Sequence, residues 1–391
     1  MKTIILIFHA FRDLIIRYLP TTIKRKGGFA FLVHPRNIPD VYRKYPFLKF
    51  LSQKKLEWFL HHFWPVVISE VEGMKDENDK LVKGWILTIP LIAKQMVSDR
   101  KLTLKKIIQA AKLAEKLGAN IIGLGALTAS LTKGGLDLKD KVNIGITTGR
   151  AYTTKNVIEN SVKIAKELNI DLNKSTVAIV GAAGGIGSAC AKILATKNNV
   201  KKFILIDLAR KKNSVEKLIK EININKNDID FKFSPVIKDI YPADIIIAAT
   251  NTSEVVIGPN DIKSGAVIIN DAVIINDAQP SDISPEIFEK RDDVLVIEGG
   301  IINTPGIKYH FNFGLANKED IFCCLGETMA LSHTNHDKDY AIGYLNLELI
   351  KDISKHISRL NFQMAKFQNP IEGEISKEKI SKIRDIIINR Q

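Results

Sequence analysis

Four apolar residues, Val177-Ala178-Ile179-Val180, run directly into Gly181-Ala182-Ala183-Gly184-Gly185-Ile186-Gly187. The segment that follows repeats apolar positions at helical spacing, with Ile186, Ala189, Cys190, Ile193 and Leu194 on one face. Strand, glycine turn and helix in immediate succession constrain the fold more than any other feature, because they are the opening of a βαβ unit and need a parallel sheet. Each glycine has its reason. Gly181 permits the tight turn, Gly184 lets backbone approach a pyrophosphate, and Gly187 lets the helix pack closely on the strand. A pyrophosphate then lies over the free N–H groups at the positive helix end, in contact with Gly185 and Ile186 as well. The spacing is G-x-x-G-x-x-G, and the context carries the inference: Asp207 closes the next apolar run, 20 residues after Gly187. Asp207 suits a ribose 2′-OH and NAD(H), while Arg210, Lys211 and Lys212 just beyond it suit the 2′-phosphate of NADP(H). Thr250 and Asn251 end a later strand, where the carboxyl edge meets the nicotinamide half.

Apolar runs at Val177–Val180, Phe203–Ile206, Ile245–Ala249, Ala266–Ile269 and Val294–Ile297 suit parallel strands covered on both faces. Upstream, Phe29–Val33, Pro65–Val71, Gly84–Thr88, Asn120–Gly125 and Val142–Thr147 read as strands. A helix through Leu104, Ile107, Ile108 and Ala111 stops at Gly118, and a second runs from about Tyr152 to Leu168. The expected fold is α/β in two lobes with a C-terminal helical segment. Its divisions are a basic amphipathic segment over residues 1–28, a substrate lobe over 29–149, a Rossmann lobe over 150–317, and a mostly helical stretch over 318–391, broken by Pro370 and Gly373. At 391 residues the chain is long enough for such a pair of cores.

The net charge of +14 is uneven, with twelve Lys and Arg against three carboxylates in residues 1–60. Such an end attracts anionic lipid or an acidic carrier protein. Nucleic acid is excluded as the partner, since neither zinc-ligand spacing nor an RNA-binding aromatic motif is present. Thr3–Phe8 is apolar, but Arg12, Asp13 and Arg17 interrupt it short of the ~20 residues a span requires. Ile4, Ile7, Phe8, Phe11, Leu14, Ile15 and Tyr18 recur at helical spacing ahead of Lys24-Arg25-Lys26. Two readings remain open, a helix lying on a membrane surface and a helix packed on its own domain. Three cysteines build no disulfide framework, which points to a reducing, cytoplasmic setting with free thiols.

Cys323-Cys324 lies in Asp320-Ile321-Phe322-Cys323-Cys324-Leu325-Gly326-Glu327-Thr328-Met329. A helix N-terminus lowers a thiol pKa, and Asp320 is the expected N-cap. Here the chain resembles the long-chain fatty acyl-[acyl carrier protein] reductases of cyanobacterial type over roughly residues 29–350. Besides the cysteine stretch, the resemblance rests on Phe31-Leu32-Val33-His34, Gly123–Thr128, Thr147–Thr153, the glycine turn and Glu298-Gly299-Gly300-Ile301. It implies Cys324 as nucleophile, a long-chain acyl thioester of acyl carrier protein or coenzyme A as substrate, NADPH as hydride donor and a fatty aldehyde as product. Backbone N–H groups near Gly299-Gly300 are candidates for the oxyanion. The chain departs from the family in its basic extension, in Asp207 where the family has a small residue, and in Tyr152 where it has His.

Glu327, three residues after Cys324 on the same helical face, tunes the thiol or orients a water; a solvated or ion-paired carboxylate is the plain alternative. Tyr152, Thr153 and Gly300 are expected at the substrate. His34 reads as a surface histidine and Cys190 as helix packing. His61-His62 point to different sides of a helix, so no metal is expected. Two other functions stay open: a shikimate- or amino-acid-dehydrogenase-like enzyme of a small polar substrate with Cys324 idle, and a non-catalytic nucleotide-binding protein of the membrane surface.

Overall fold

The computed structural model describes residues 11–16, 18, 27–224, 226, 228–250, 256–271 and 282–390. The first lobe is built on strands β1 (Gly28–Val33), β2 (Val66–Glu72), β3 (Lys83–Thr88), β4 (Ile121–Leu124) and β5 (Gly145–Thr147). β1 pairs in parallel with β3 and β4, and β4 with β5, while β2 runs antiparallel beside β3. Two short helices, α1 (Ile38–Lys44) and α2 (Gln53–His62), follow β1. α3 (Arg100–Leu117) covers one sheet face, its Ile107, Ala110, Ala111 and Ala114 packing with Ala30, Leu32, Leu87 and Ile122. Gly118 ends it in the left-handed conformation.

The long helix α4 (Arg150–Glu167) leads to the second sheet. Its strands are β6 (Thr176–Val180), β7 (Lys202–Ile206), β8 (Asp230–Ser234), β9 (Ile245–Ala248), β10 (Val267–Asn270) and β11 (Leu295–Glu298), in the order β11-β10-β9-β6-β7-β8. Every pair is parallel. The strand order reverses between β6 and β9, and that switch point is where a Rossmann sheet takes its ligand. The glycine turn joins β6 to α5 (Gly185–Lys197), and α6 (Lys212–Asn223) follows β7. Gly181 has φ +83°, and a Cβ on Gly187 would stand 2.4 Å from the Gly181 carbonyl, so both glycines are sterically required.

After β11 the chain returns to the first lobe through β12 (Ile301–Asn303), β13 (Lys308–Tyr309) and β14 (Asp320–Phe322). β13 pairs with β2, so a segment from the second half of the chain completes the first sheet. The rest is α7 (Cys323–His333), α8 (Leu347–Ile357) and α9 (Lys377–Arg390). Pro370 and Gly373, expected as helix breaks, lie in or beside a small hairpin that pairs Gln368–Asn369 with Gly373–Glu374.

The strand expected over Val142–Thr147 is confined to Gly145–Thr147. β8 escaped sequence reading because Asp230-Phe231-Lys232-Phe233-Ser234 alternates, as an edge strand does, instead of running apolar. Residues 1–10, 17 and 19–26 lie outside the described residues. Residues 11–16 and 18 are helical, with Asp13 buried against Val67 and Phe11, Ile15 and Tyr18 outward. Among the described residues no helix is long and apolar enough to cross a membrane.

Candidate active site

Cys324 is the second residue of α7, which enters the first lobe and packs against β1, β4, α4 and α8. Cys323 is fully buried, its N–H donating to the Gly300 carbonyl at 2.8 Å, so of the two thiols it is Cys324 that reaches the cavity described below. The backbone of β5 and α4 closes on it from one side. A Cβ on Gly149 would stand 2.1 Å from the Cys324 Cβ, and Gly149 has φ +75°, so no other residue fits there. Asp320 is not the helix cap. It lies in β14 and accepts from Asn303, Asn317 and Gln368, while the capping position is Phe322, whose side chain makes no cap bond.

Glu327 is neither solvated nor ion-paired. It is fully buried and accepts from the N–H of Gly149 at 3.0 Å, the N–H of Tyr152 at 2.8 Å and the Thr147 hydroxyl. Its carboxylate thus caps α4 from another element, supplying what glycine at the cap position lacks. Burial pushes the carboxyl up to about 7 in spite of these hydrogen bonds, which act in the opposite sense. Burial also pushes the Cys324 thiol up to about 12, with the nearby Glu327 charge adding to the effect. The resting sulfur is protonated.

Cys324 opens into a cavity of about 970 Å³ that extends through the first lobe and reaches the glycine turn at Ile186. Its walls in the first lobe are aromatic and aliphatic, among them Phe31, Leu60, Phe63, Trp64 and Phe313. Thr153 and Gly300 line it; the Tyr152 side chain does not, being buried against Gly326, and what Tyr152 contributes is its N–H to Glu327. His34 is buried in the same wall and is not a surface residue. Its Nδ1 faces the Pro35 carbonyl at 3.0 Å, its Nε2 has no partner, and burial lowers its pKa, so it is neutral. The Gly299-Gly300 turn is held by Asn156, which donates to the carbonyls of Gly299 and Ile301, but the Gly299 N–H already donates to Asn270, which removes it as an oxyanion donor.

On the other side of the cleft, the N–H groups of Gly185, Ile186 and Gly187 begin α5 ahead of its first internal bond, from Ser188 to Gly184. These residues fit a dinucleotide pyrophosphate: their N–H groups have no intrahelical acceptor, and the Arg150 side chain stands 3.5 Å from where a Cβ on Gly185 would lie, which sets a cation beside the turn. Arg150 lines the cavity there, a residue that sequence reading left unassigned. The available signal was an arginine in the first turn of a helix, where the dipole disfavours it. Asp207 stands at the end of β7, beside the glycine turn. Its two oxygens accept the N–H of Ala183 and of Leu208, both at 2.8 Å, which turns the carboxylate onto the glycine turn. Arg210 follows on an exposed turn. Thr250 lines the cavity and bonds the buried Asp282 through its N–H and hydroxyl; Asp282 was also missed. Asn251 lies outside the described residues. Among the described residues no cluster of three or more His, Cys, Asp or Glu is arranged to hold a metal.

Fold and cleft define a two-lobed α/β protein with a Rossmann-type sheet. The family model of shikimate / quinate 5-dehydrogenase matches residues 163–298, from α4 to the end of β11. The chain is 25% identical over 321 residues to the long-chain acyl-[acyl-carrier-protein] reductase of Synechococcus elongatus, covering 77% of this chain and 89% of that one. It is also 25% identical over 283 residues to aminotransferase PigE of a Serratia species, covering 72% of this chain and 32% of that protein, so it spans about a third of that relative's length. Among solved structures, shikimate 5-dehydrogenase from Listeria monocytogenes is 13% identical with a TM-score of 0.34, covering 86% of this chain and 99% of that one. The likeness to dehydrogenases and reductases is thus a distant one, with the family model confined to residues 163–298.

The buried Glu327 makes a pH prediction. A carboxyl that binds its proton more tightly folded than unfolded contributes fully below its unfolded value of 4.5 and loses that contribution as pH rises through about 7. Stability should therefore fall across that window, and Glu327→Gln should flatten the slope: the variant should be less stable by about 1–3 kcal/mol at the acid end, where one backbone donor loses its acceptor, and the gap should narrow as pH rises. Thermal unfolding of both proteins between pH 4.5 and 8 checks this; an unchanged slope would refute it.

Proposed function

We propose that the protein reduces a long-chain acyl thioester to a fatty aldehyde with NADPH, through an acyl-enzyme on Cys324. The observation that carries this reading is the placement of a first-turn cysteine at the junction of an apolar cavity and a dinucleotide turn. The apolar walls hold the acyl chain and exclude water from the reacting carbon. The Cys324 sulfur loses its proton and attacks the thioester carbonyl; the carbonyl re-forms, the carrier leaves as thiol, and the acyl group remains on sulfur. His34, neutral, in the wall of the same cavity and with its buried Nε2 unpartnered, is the residue assigned to accept that proton. NADPH, when bound, supplies the hydride. As the acyl carbon accepts it, the carbon–sulfur bond breaks, the aldehyde leaves and Cys324 returns as thiolate. Thr153 and the Gly300 turn border the acyl carbon. Gly185, Ile186, Gly187 and Arg150 hold the pyrophosphate, and Thr250 borders the nicotinamide half. Asp207, drawn onto the glycine turn, leaves the adenine ribose to Arg210 and Lys211, which suits a 2′-phosphate.

The second reading, a dehydrogenase of a small polar substrate by direct hydride transfer, is favoured by the family match over residues 163–298. Cys324 separates the two. With a radiolabelled long-chain acyl thioester and no reductant, wild type and Cys323→Ser should take up hydroxylamine-labile label and Cys324→Ser none. Aldehyde formation should fall roughly 10³-fold in Cys324→Ser. Full activity in that variant would leave the second reading standing. His34→Gln should slow acylation measured by rapid quench about 10²-fold or more, while leaving NADPH binding intact; unchanged acylation would remove His34 from the mechanism. Arg210→Ala should raise KM for NADPH about tenfold without changing that for NADH; equal effects on both would reassign the 2′-phosphate.

A further inference from the structure

The cavity reaches solvent where its lining residues are themselves exposed. Phe11, on the helical N-terminal segment, and Phe47, on the turn between α1 and α2, both line it and are 56% and 37% exposed; Arg43 beside them is also lining and exposed. The two elements that meet at this mouth carry further apolar side chains into solvent. Ile15 and Tyr18 continue the face of Phe11 at helical spacing and are 61% and 76% exposed. On the other element Phe50 is 78% and Trp58 65% exposed. Trp58 stands on the side of α2 opposite the buried Leu56 and Leu60, one helical turn from Lys54 and Lys55. Lys49, Lys54 and Lys55 are exposed, and among the described residues none has a carboxylate partner. The carboxylates on these elements are all engaged: Asp13 with Arg12 and the Val67 N–H, Asp40 with Arg36 and Arg43, and Glu57 with the Gln53 amide.

Aromatic side chains set among unpaired lysines are what a membrane–water interface selects, the rings seated at headgroup depth and the lysines on anionic phosphates. The geometry points to an anionic phospholipid surface as the partner of this mouth, docked through Ile15, Tyr18, Phe50 and Trp58 and held by Lys49, Lys54 and Lys55. The acyl chain then passes from bilayer to cavity without crossing water. That last step rests on the acyl-thioester reading; the docking itself does not.

The test is sedimentation of the full chain with vesicles, without substrate. Wild type should pellet with vesicles of roughly equal parts phosphatidylcholine and phosphatidylglycerol, and far less with phosphatidylcholine alone. Phe50→Ser/Trp58→Ser, Ile15→Ser/Tyr18→Ser and the triple variant Lys49→Gln/Lys54→Gln/Lys55→Gln should each lower the partition coefficient about tenfold or more. These side chains are outside the cavity wall, so acylation of Cys324 by a soluble acyl-coenzyme A should be unchanged. Absence of vesicle binding by wild type, or variants that bind as wild type does, would overturn the inference. So would a lysine variant that binds vesicles normally yet is no longer acylated by an acyl carrier protein thioester, because the face would then be the carrier's. Vesicle binding without Cys324 acylation would sink only the acyl reading, and acylation without vesicle binding only this one.

Discussion

The carboxylate of Glu327 at the start of α4 is the contact on which the cleft depends. Cys324 sits so close to the chain between β5 and α4 that only glycine fits at position 149. Glycine, however, cannot cap the helix it begins, and the N–H groups of Gly149 and Tyr152 would be left without acceptors inside the protein. Glu327, one turn beyond Cys324 on α7, satisfies them. The same helix that creates the steric demand therefore supplies its remedy, and the i, i+3 spacing of Cys324 and Glu327 keeps thiol and cap in register. One buried carboxylate fixes α7, which carries the sulfur, to α4, which borders both the apolar cavity and the glycine turn.

Much of the second lobe was legible because its signals are local. Continuous apolar runs mark strands buried on both faces, and the turn from Gly181 to Gly187 needs glycine for reasons any strand–turn–helix junction imposes. The site was legible only in part. Cys324 and Glu327 are close in sequence, so helical spacing placed them together. What Glu327 does is written in residues 147–152, some 175 positions away, and no periodicity reports that. His34 failed for the same reason: a histidine before Pro35 at a strand end reads as surface until the fold buries it in the cavity wall. Asp207 is a different case: its place at the strand end was read from the sequence, while the two backbone N–H groups that orient its oxygens are visible only in the folded turn.

The two lobes differ in what they present to the cleft. The first offers rings and aliphatic side chains around the buried His34, with Arg36, Asp40, Arg43 and Lys44 also in its lining. The second offers helix N–H groups, Arg150 and the Thr250–Asp282 pair. A ligand complementary to the whole must be apolar at one end and anionic or hydrogen-bonding at the other, or must be two ligands meeting near Cys324. The Rossmann switch point accounts for one, and the volume left in the first lobe has room for the other.

The high thiol pKa follows from this architecture and bears on how the proposed chemistry is controlled. A sulfur among apolar walls, beside a buried carboxylate, gains little from the helix N-terminus and stays protonated at neutral pH. It is thereby poorly reactive toward oxidants and toward chance electrophiles, which attack the thiolate. In the proposed reaction the proton must therefore leave the sulfur as the carbonyl is attacked, and His34, kept neutral by burial in the same cavity wall, is the group assigned to take it.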